Sequence, residues 1–349
     1  MKQFVKLKKL NPGDQVAVIS PSNGLPQIFP APFELGLKRL QDIFGLIPKE
    51  YPTTRIMGAP LKDRARDIMA AFADPENKAV FTSIGGSDQI QLIKYLDPQV
   101  FIDNPKPFLG YSDNTHLHNF LWNLGIPSYY GCAAMTTLGM NVEMFPMTVD
   151  SIKNALFVGN EYDVKASGQY NDIGLSWADK SNLEIPRTME PNDGLYWDGE
   201  GTVEGILWGG CVESLIFQST ANKYLPKDND LENVVLYIET SEGMPEAWVP
   251  SYLIRGFGER GWFDKIKAVI VGRPKAWEFD KPNNTEQKAR YKEKQRDEII
   301  KAVRQYNQSI PIIQNLDFGH SDPQILIPSG GKIRIDSKEK SIKLFFDID

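Results

Sequence analysis

Residues 107–122 read PFLGYSDNTHLHNFLW, and this stretch decides the fold of the first half of the chain. It begins as an apolar strand, passes through a turn of small and polar residues, and continues with the spacing of a helix. The same alternation extends over the first half of the chain and favours a parallel sheet covered by helices. The sequence therefore predicts an N-terminal α/β domain of flavodoxin or Rossmann type at residues 1–160. Its predicted helices include 33–44, 60–73, 87–96 and 146–157.

The second half of the chain has a different pattern. Residues 161–200 lose clear periodicity and are rich in Asp, Asn, Gly and Pro, which predicts an interdomain linker or substrate loop. Residues 201–349 contain apolar strands, a long polar helix near 285–307 and a β-rich tail that should form antiparallel hairpins. The C-terminal domain is therefore predicted to be mixed α/β, of a swivelling β/β/α-like type.

Composition excludes several classes of protein. The chain of 349 residues is long enough for two compact units, and 41% hydrophobic with 24% charged residues is typical of an ordered globular protein. The net charge of -6 argues against nucleic acid as a partner. No apolar run has the length of a secretory signal or a membrane span, and Cys132 and Cys211 lack CxxC spacing. We expect a cytoplasmic protein with no membrane partner and with both cysteines buried.

Ser112 lies at the turn within residues 107–122. A G-x-S-x turn resembles the first part of a nucleophile elbow, which exposes the serine hydroxyl and offers the next backbone N–H to an oxyanion. Asn114 stands where that elbow has its second glycine, and a serine at a helix start is also a common N-cap. On the pattern alone, capping is the more frequent use and nucleophilic attack is the alternative.

A serine nucleophile needs a base, which is most often histidine. The chain has three histidines, of which His116 and His118 lie two apart on a helix and so point to different faces. His320 follows an apolar strand on a loop rich in Gly, Asp and Pro, where side chains often serve function. His320 is the candidate base, and a structural role for it stays open.

The base in turn needs a carboxylate that fixes its tautomer. Glu239 ends the apolar strand 234–239, and an unpaired carboxylate at that position would be costly to bury. Glu242 is the rival acid, although a solvated turn residue is its simpler interpretation.

Loops rich in small and polar residues follow three strands, at 20–24, 83–88 and 110–114, and should converge at the carboxyl edge of the parallel sheet. Two glycine pairs, Gly85-Gly86 and Gly209-Gly210, could bring backbone N–H groups close to an anion, although such a pair most often makes a tight turn. Neither pair fits the glycine patterns of nucleotide-binding loops.

Sequence patterns for metal and nucleic-acid sites are missing. The chain has no HExxH, no paired CxxC and no calcium-loop spacing, so we assign no metal. The basic run at 288–304 interleaves acids with bases at helical spacing, which indicates a solvated helix face.

Six motifs, in order along nearly the whole chain, resemble the LD-carboxypeptidase family of serine peptidases. That family includes muramoyl-tetrapeptide carboxypeptidases and microcin C self-immunity proteins. The motifs are LNPGDQVAVISPS (10–22), SIGGSDQIQLIKYLD (83–97), FLGYSDNTHLHNFLWNLGIPSYYG (108–131), GILWGGCVESL (205–215), YIETSE (237–242) and FGHSDPQILIPSG (318–330).

The resemblance implies a Ser-Glu-His triad of Ser112, Glu239 and His320, assembled across two domains. It further implies that the oxyanion hole is formed by the backbone of Gly86 and Asp113. No cofactor is implied, and a homodimer is expected because members of the family form homodimers.

The resemblance leaves the substrate open. Members that trim murein peptides resemble RGGYG at the second motif, whereas residues 84–88 read IGGSD, which looks more like the microcin-immunity branch. That branch stacks loop tryptophans on a nucleobase, so Trp177, Trp197 and Gly85 become candidate substrate-binding residues, with loop packing as the alternative role of the tryptophans. Cys211 stands where the family is associated with Asn.

Three functions follow as hypotheses. The first is hydrolysis of the L,D-amide bond of a murein tetrapeptide, which releases D-alanine. The second is cleavage of a peptidyl or aminoacyl nucleotide analogue. The third, from another class, is non-catalytic binding of a small ligand in the interdomain cleft.

Overall fold

Two sheets organise the chain, and the structure, a computed structural model, describes residues 2–159 and 161–347. The strands of the first half are β1 (Gln15–Ile19), β2 (Ile47–Glu50), β3 (Asn77–Thr82), β4 (Phe108–Gly110) and β5 (Ser128–Tyr130). The helices are α1 (Pro30–Asp42), α2 (Leu61–Ala73), α3 (Pro98–Asp103), α4 (Thr115–Asn123) and α5 (Pro146–Lys153).

The first sheet is parallel in the order β5-β4-β3-β1-β2. Its inner strands are almost wholly buried, as expected where both faces of a parallel sheet are covered. The predicted parallel α/β character of the first half is confirmed. The sequence pattern did not reveal β2, because this exposed edge strand contains only one large apolar residue, Ile47.

One predicted helix is wrong. Residues 87–96 form two short 3-10 turns, Gln89–Gln91 and Ile93–Tyr95, instead of a continuous α-helix. The reason is tertiary, because the Gln89 side chain is buried and its amide donates to Asn114 Oδ1 over 2.8 Å. Contacts with a neighbouring loop thus override the local helical spacing.

The remaining elements begin after residue 160. Residue 160, where we predicted the end of the N-terminal domain, lies outside the described residues. The first strands are β6 (Glu161–Asp163), β7 (Gln169–Tyr170), β8 (Glu190–Pro191) and β9 (Tyr196–Asp198). They are followed by β10 (Thr202–Cys211), β11 (Val234–Glu239), β12 (Ala268–Gly272), β13 (Ile312–Leu316), β14 (Ile327–Ser329), β15 (Lys332–Asp336) and β16 (Ser341–Phe345). The helices are α6 (Val212–Ala221), α7 (Trp248–Glu259) and α8 (Thr285–Arg304).

The second sheet is mixed, in the order β6-β16-β15-β10-β11-β12-β13-β9. Strands β10 to β13 are parallel, and the outer strands on both sides run antiparallel to their neighbours. The predicted mixed α/β character of the second half is confirmed. No helix within the described ranges combines the length and apolarity that crossing a membrane requires.

The two halves are joined by strand exchange and by side-chain contacts. Strand β14, from the second half of the chain, is the edge strand of the first sheet and pairs antiparallel with β5. Trp122 Nε1 donates to the Leu207 carbonyl over 3.1 Å, and Asn119 Nδ2 donates to Gln218 Oε1 over 2.9 Å. The two side-chain contacts pack α4 of the first half against β10 and α6 of the second half.

The glycine pair Gly209-Gly210 serves this packing. Both residues have positive φ, +154° and +140°, which favours glycine. A Cβ on Gly209 would lie 1.7 Å from the Tyr237 carbonyl oxygen, and one on Gly210 would lie 2.4 Å from Thr115 Cγ2. The missing side chains let β10 approach both β11 and the start of α4.

We expect Gly209→Ala to lower the free energy of unfolding by more than about 3 kcal/mol, since backbone strain and atomic overlap add. Urea denaturation measures the change. The matched control is Gly256→Ala in α7, where nothing lies within 4 Å of the new Cβ and stability should rise by about 0.5–1 kcal/mol. A Gly209→Ala protein as stable as the parent would contradict the packing role.

Candidate active site

The strand-turn-helix at residues 107–122 holds Ser112 in a strained backbone conformation. Strand β4 ends at Gly110, and a 3-10 turn at Ser112–Asn114 leads into α4. Ser112 has φ +64°, which is uncommon for a residue with a Cβ and is concentrated at functional sites. Among the described residues, its hydroxyl caps neither the turn nor α4. The turn therefore has the sharp form of a nucleophile elbow.

Glu239 and His320 meet where β11 ends. The Glu239 side chain is buried, and His320 Nδ1 donates to Glu239 Oε2 over 2.6 Å. The loop that carries His320 can approach because Gly319 precedes it, with φ +99°. A Cβ on Gly319 would lie only 2.6 Å from Glu239 Oε2. The predicted acid and base are thus in direct contact.

Tyr130 connects this pair to the serine turn. Its hydroxyl donates to Glu239 Oε1 over 2.6 Å and accepts from the Ser112 backbone N–H over 3.0 Å. Sequence reasoning missed Tyr130. Its signal is a tyrosine at the carboxyl end of a buried strand, where the hydroxyl requires a polar partner.

The second nitrogen of His320 is also occupied. His320 Nε2 lies 3.0 Å from Glu242 Oε2, so the imidazole is held between two carboxylates. Burial alone lowers the pKa of His320, but Glu239 and Glu242 outweigh it and raise that pKa to about 10. The hydrogen bond from His320 is the main cause that lowers the pKa of Glu242 to about 2. Both carboxylates therefore favour the protonated form of the His320 ring.

The rival acid Glu242 is consequently more than a solvated turn residue. Its side chain is 58% exposed, as the sequence suggested, yet its carboxylate binds the nitrogen that a general base needs free.

Gly85 lies directly against the serine. A Cβ on Gly85 would be 3.2 Å from Ser112 Oγ and 3.5 Å from the Asp113 backbone nitrogen. The next residue, Gly86, packs against Ser22, and a Cβ on Gly86 would lie 2.6 Å from the Ser22 Cβ. The absence of a side chain at Gly85 leaves room beside the hydroxyl and the Asp113 N–H.

The Asp113 carboxylate holds the glycine loop on the serine turn. Its Oδ2 accepts from Ser22 Oγ over 2.7 Å and from the backbone N–H groups of Asp88 and Gln89 over 3.1 and 3.0 Å. Burial raises the pKa of Asp113, while these hydrogen bonds favour its ionised form. The three strand-end loops at 20–24, 83–88 and 110–114 therefore converge as the sequence predicted.

A cavity of about 460 Å³ lies over these groups, between the two halves of the chain. Ser112, His320 and Gly85 line it, together with Trp177, whose ring contacts Phe29 edge to face at 6.0 Å. Its other lining residues include Gly86, Tyr111, Arg187, Glu242, Lys275, Phe279 and Asp322.

The two candidate tryptophans lie in different places. Trp177 faces the cavity, whereas Trp197 lies in β9 opposite Ile313 and is not part of the cavity wall. The sequence grouped them because both occur in residues 161–200. The strand pairing of β9, which has no strong local signal, takes Trp197 away from the cleft.

Two family models match this chain. The model described as the LD-carboxypeptidase N-terminal domain matches residues 16–131, and the model of the C-terminal domain matches residues 204–335. The chain belongs to the LD-carboxypeptidase family. The six-motif resemblance is confirmed, and with it the coarse assignment to peptidases.

Relatives of this LD-carboxypeptidase family member carry two kinds of name. A Treponema pallidum protein named as a carboxypeptidase is 28% identical over 346 residues, which cover 97% of this chain and 95% of that protein. The microcin C7 self-immunity protein MccF of Escherichia coli is 25% identical over 287 residues, covering 81% and 78%. Among solved structures, the MccF-like protein from Streptococcus pneumoniae in complex with AMP is 26% identical, with TM-score 0.82 over 96% of this chain and 99% of that one.

The other histidines and the cysteines of this family member are buried. His118 contacts Ser128 Oγ at 2.7 Å and the Gly110 carbonyl at 2.8 Å, and burial lowers the pKa of both His116 and His118 to about 3. Both cysteines are buried, as predicted. Within residues 2–159 and 161–347, no group of three or more His, Cys, Asp or Glu side chains could hold a metal ion.

We expect Tyr130→Phe to lower the free energy of unfolding by about 1–3 kcal/mol, because a buried carboxylate oxygen and the Ser112 N–H both lose their partner. Urea denaturation at neutral pH measures the loss. Tyr129→Phe is the matched control, since Tyr129 is equally buried and its hydroxyl makes no side-chain hydrogen bond to the described residues. Equal effects of the two substitutions would contradict the connecting role of Tyr130.

Proposed function

We propose that this LD-carboxypeptidase family member is a serine hydrolase that cleaves an amide bond, with Ser112 as nucleophile, His320 as base and Glu239 as the acid that orients His320. The observation that carries the proposal is the 2.6 Å hydrogen bond from His320 Nδ1 to the buried Glu239, beside a serine on a strained turn in one cleft. This arrangement has the parts of a nucleophile, a base and an orienting carboxylate.

In the proposed reaction, Ser112 Oγ attacks the amide carbonyl carbon while His320 Nε2 takes the hydroxyl proton. The carbonyl electrons move to its oxygen, which the backbone N–H groups of Gly86 and Asp113 stabilise. Gly85 supports this step because it leaves space beside Ser112 Oγ. Return of the proton from His320 to the leaving nitrogen releases the amine, and water resolves the acyl-enzyme by the same sequence.

We assign the murein tetrapeptide as substrate, cleaved at its L,D-amide bond with release of D-alanine. A carboxypeptidase must hold the terminal carboxylate of its substrate, and Arg187 is a suitable cation in the cleft wall. Its Nη1 pairs with Asp322 Oδ2 over 2.6 Å, while its buried Nε has no hydrogen-bond partner among the described residues. The positive charge of Arg187 in the cleft wall supports recognition of an anionic group.

The second candidate is a peptidyl or aminoacyl nucleotide analogue. Trp177 and Phe29 favour it, because aromatic rings in a cleft wall can stack on a nucleobase. The AMP complex of the S. pneumoniae MccF-like relative is consistent with this alternative.

The test incubates the purified protein with murein tetrapeptide and, separately, with an aminoacyl sulfamoyl adenylate, and follows products by mass spectrometry. We expect release of D-alanine, and we expect Ser112→Ala to lower the rate more than about a thousandfold. Ser309→Ala, an exposed serine outside the cleft, is the control and should cleave like the parent. Cleavage of the adenylate alone would assign the second candidate. If parent and Ser112→Ala are equally inert on both compounds, the non-catalytic binding hypothesis replaces catalysis.

The pH dependence should report the second carboxylate on His320. A base must be neutral, so activity rises with pH through the pKa of His320, which Glu242 helps to raise. We expect Glu242→Gln to lower that pKa and to move the rising limb of the kcat/KM profile to lower pH. Glu239→Gln is the comparison, because it also lowers the pKa but loses the orientation of the ring. An unchanged profile in Glu242→Gln would contradict the contact between Glu242 and His320.

A further inference from the structure

A second cavity lies under helix α8, apart from the catalytic cleft. Its volume is about 570 Å³, larger than the cleft, and no described residue lines both. It opens at the carboxyl ends of β11, β12 and β13, where open α/β sheets bind their ligands. The proposed reaction has no use for this space.

One face of α8 forms a wall of this cavity. Lys288, Lys292, Gln295 and Ile299 follow one another at intervals of three or four residues, so they share a side of the helix, and all four line the cavity. Lys288 and Gln295 are buried. The interpretation of residues 288–304 as a solvated helix face is therefore wrong for this side of α8. An amphipathic helix usually has apolar residues on its inner side, whereas here Lys288 and Lys292 lie there and line the cavity.

The cations around the cavity differ in their partners. Lys288 pairs with Asp172 and with Glu190 Oε1 at 2.9 Å, and Arg273 pairs with Asp317. Lys292 has neither a hydrogen bond nor an ion pair with any described residue. Its Nζ lies 3.6 Å from the centre of the Tyr170 ring.

Lys292 is thus a cation without a carboxylate of its own. Burial is the main cause that lowers the pKa of Lys292 to about 8. The charges of Arg273 and Lys288 lower it further, whereas those of Asp172 and Glu190, which pair with Lys288, act in the opposite direction. A partly buried ammonium that lacks an anionic partner is costly, and a bound anion would remove that cost.

Two further polar atoms in the wall are unpaired. Gln295 Oε1 and Arg273 Nε have no hydrogen-bond partner among the described residues, although both side chains are only 1% exposed. Apolar side chains form other parts of the wall, including Val212, Ile238, Val271 and Ile299. The wall thus combines apolar side chains with charged ones of both signs, and the acids in it are Glu190, Asp193, Glu239 and Glu293. Polar groups beside apolar surface in one cavity are typical of a small-molecule site.

We propose that this second cavity binds a small organic anion, with its carboxylate or phosphate group at Lys292 and its apolar body against the β-strand ends. Arg273 adds a second positive charge to the wall of this site. Of the proposed triad, Ser112 and His320 do not line this cavity, whereas Glu239 lies in its wall.

The test is isothermal titration calorimetry of the full chain with benzoate and with phenyl phosphate, which separate carboxylate from phosphate recognition. Neutral benzamide is the control for charge. We expect at least one of the two anions to bind, and benzamide to bind at least about tenfold more weakly. Lys292→Met, which keeps the length of the side chain but removes its charge, should weaken the anion by a similar factor, and Lys292→Arg should retain it.

Lys275→Met provides the matched control, because Lys275 lines the catalytic cleft and not the second cavity. It should bind the anion like the parent. Lys292→Gln is a second neutral variant, used with circular dichroism to separate loss of binding from loss of folding. Failure of the parent to bind either anion would overturn the proposal. So would binding that survives in Lys292→Met and Lys292→Gln but is lost in Lys275→Met.

Discussion

The buried carboxylate of Glu239 is the group on which the rest of this structure depends. A carboxylate that is 1% exposed must have each oxygen hydrogen-bonded, or the cost of removing it from water destabilises the fold. One oxygen takes the Tyr130 hydroxyl from the first sheet, and the other takes His320 from a loop of the second half. Glu239 is therefore satisfied only when both halves are assembled, so the site and the packing of the two sheets form together.

Much of this arrangement could be predicted from the sequence, because it is encoded locally. The alternation of strands and helices in the first half and the isolated acid at the end of β11 both follow from patterns within a few residues. Tyr130 and the pairing of β14 with β5 could not be predicted, since each depends on partners more than a hundred residues away. The helix predicted at residues 87–96 was wrong for a related reason, because the buried Gln89 amide binds Asn114, 25 residues away, and this contact leaves no periodic pattern in the sequence.

Trp177 and Trp197 show that composition alone cannot predict which residues of a segment line a cavity. Both lie in an irregular segment rich in turn residues, and nothing in their local sequence distinguishes them. Three residues of regular pairing, from β9 to β13, place Trp197 on a sheet edge, while Trp177 remains in the irregular segment and reaches the cleft. Whether a short edge segment forms a strand depends on the sheet with which it pairs, so sequence spacing alone could not predict that only Trp177 lies in the cleft.

His320 then raises a conflict between stability and chemistry. Because its folded pKa is raised to about 10, the protonated ring stabilises the fold fully below its ordinary pKa of 6.5, and that stabilisation is lost as pH rises through about 10. In the proposed reaction His320 must be neutral before it can accept the Ser112 proton, so the proposed catalysis works against the two carboxylates that hold the ring. Glu239 is buried and hydrogen-bonded at both oxygens, whereas Glu242 is 58% exposed, so water is available to its carboxylate if it leaves Nε2. A substrate that displaces Glu242 would lower the proton affinity of His320 and free Nε2 for Ser112, which links binding in the cleft to activation of the base.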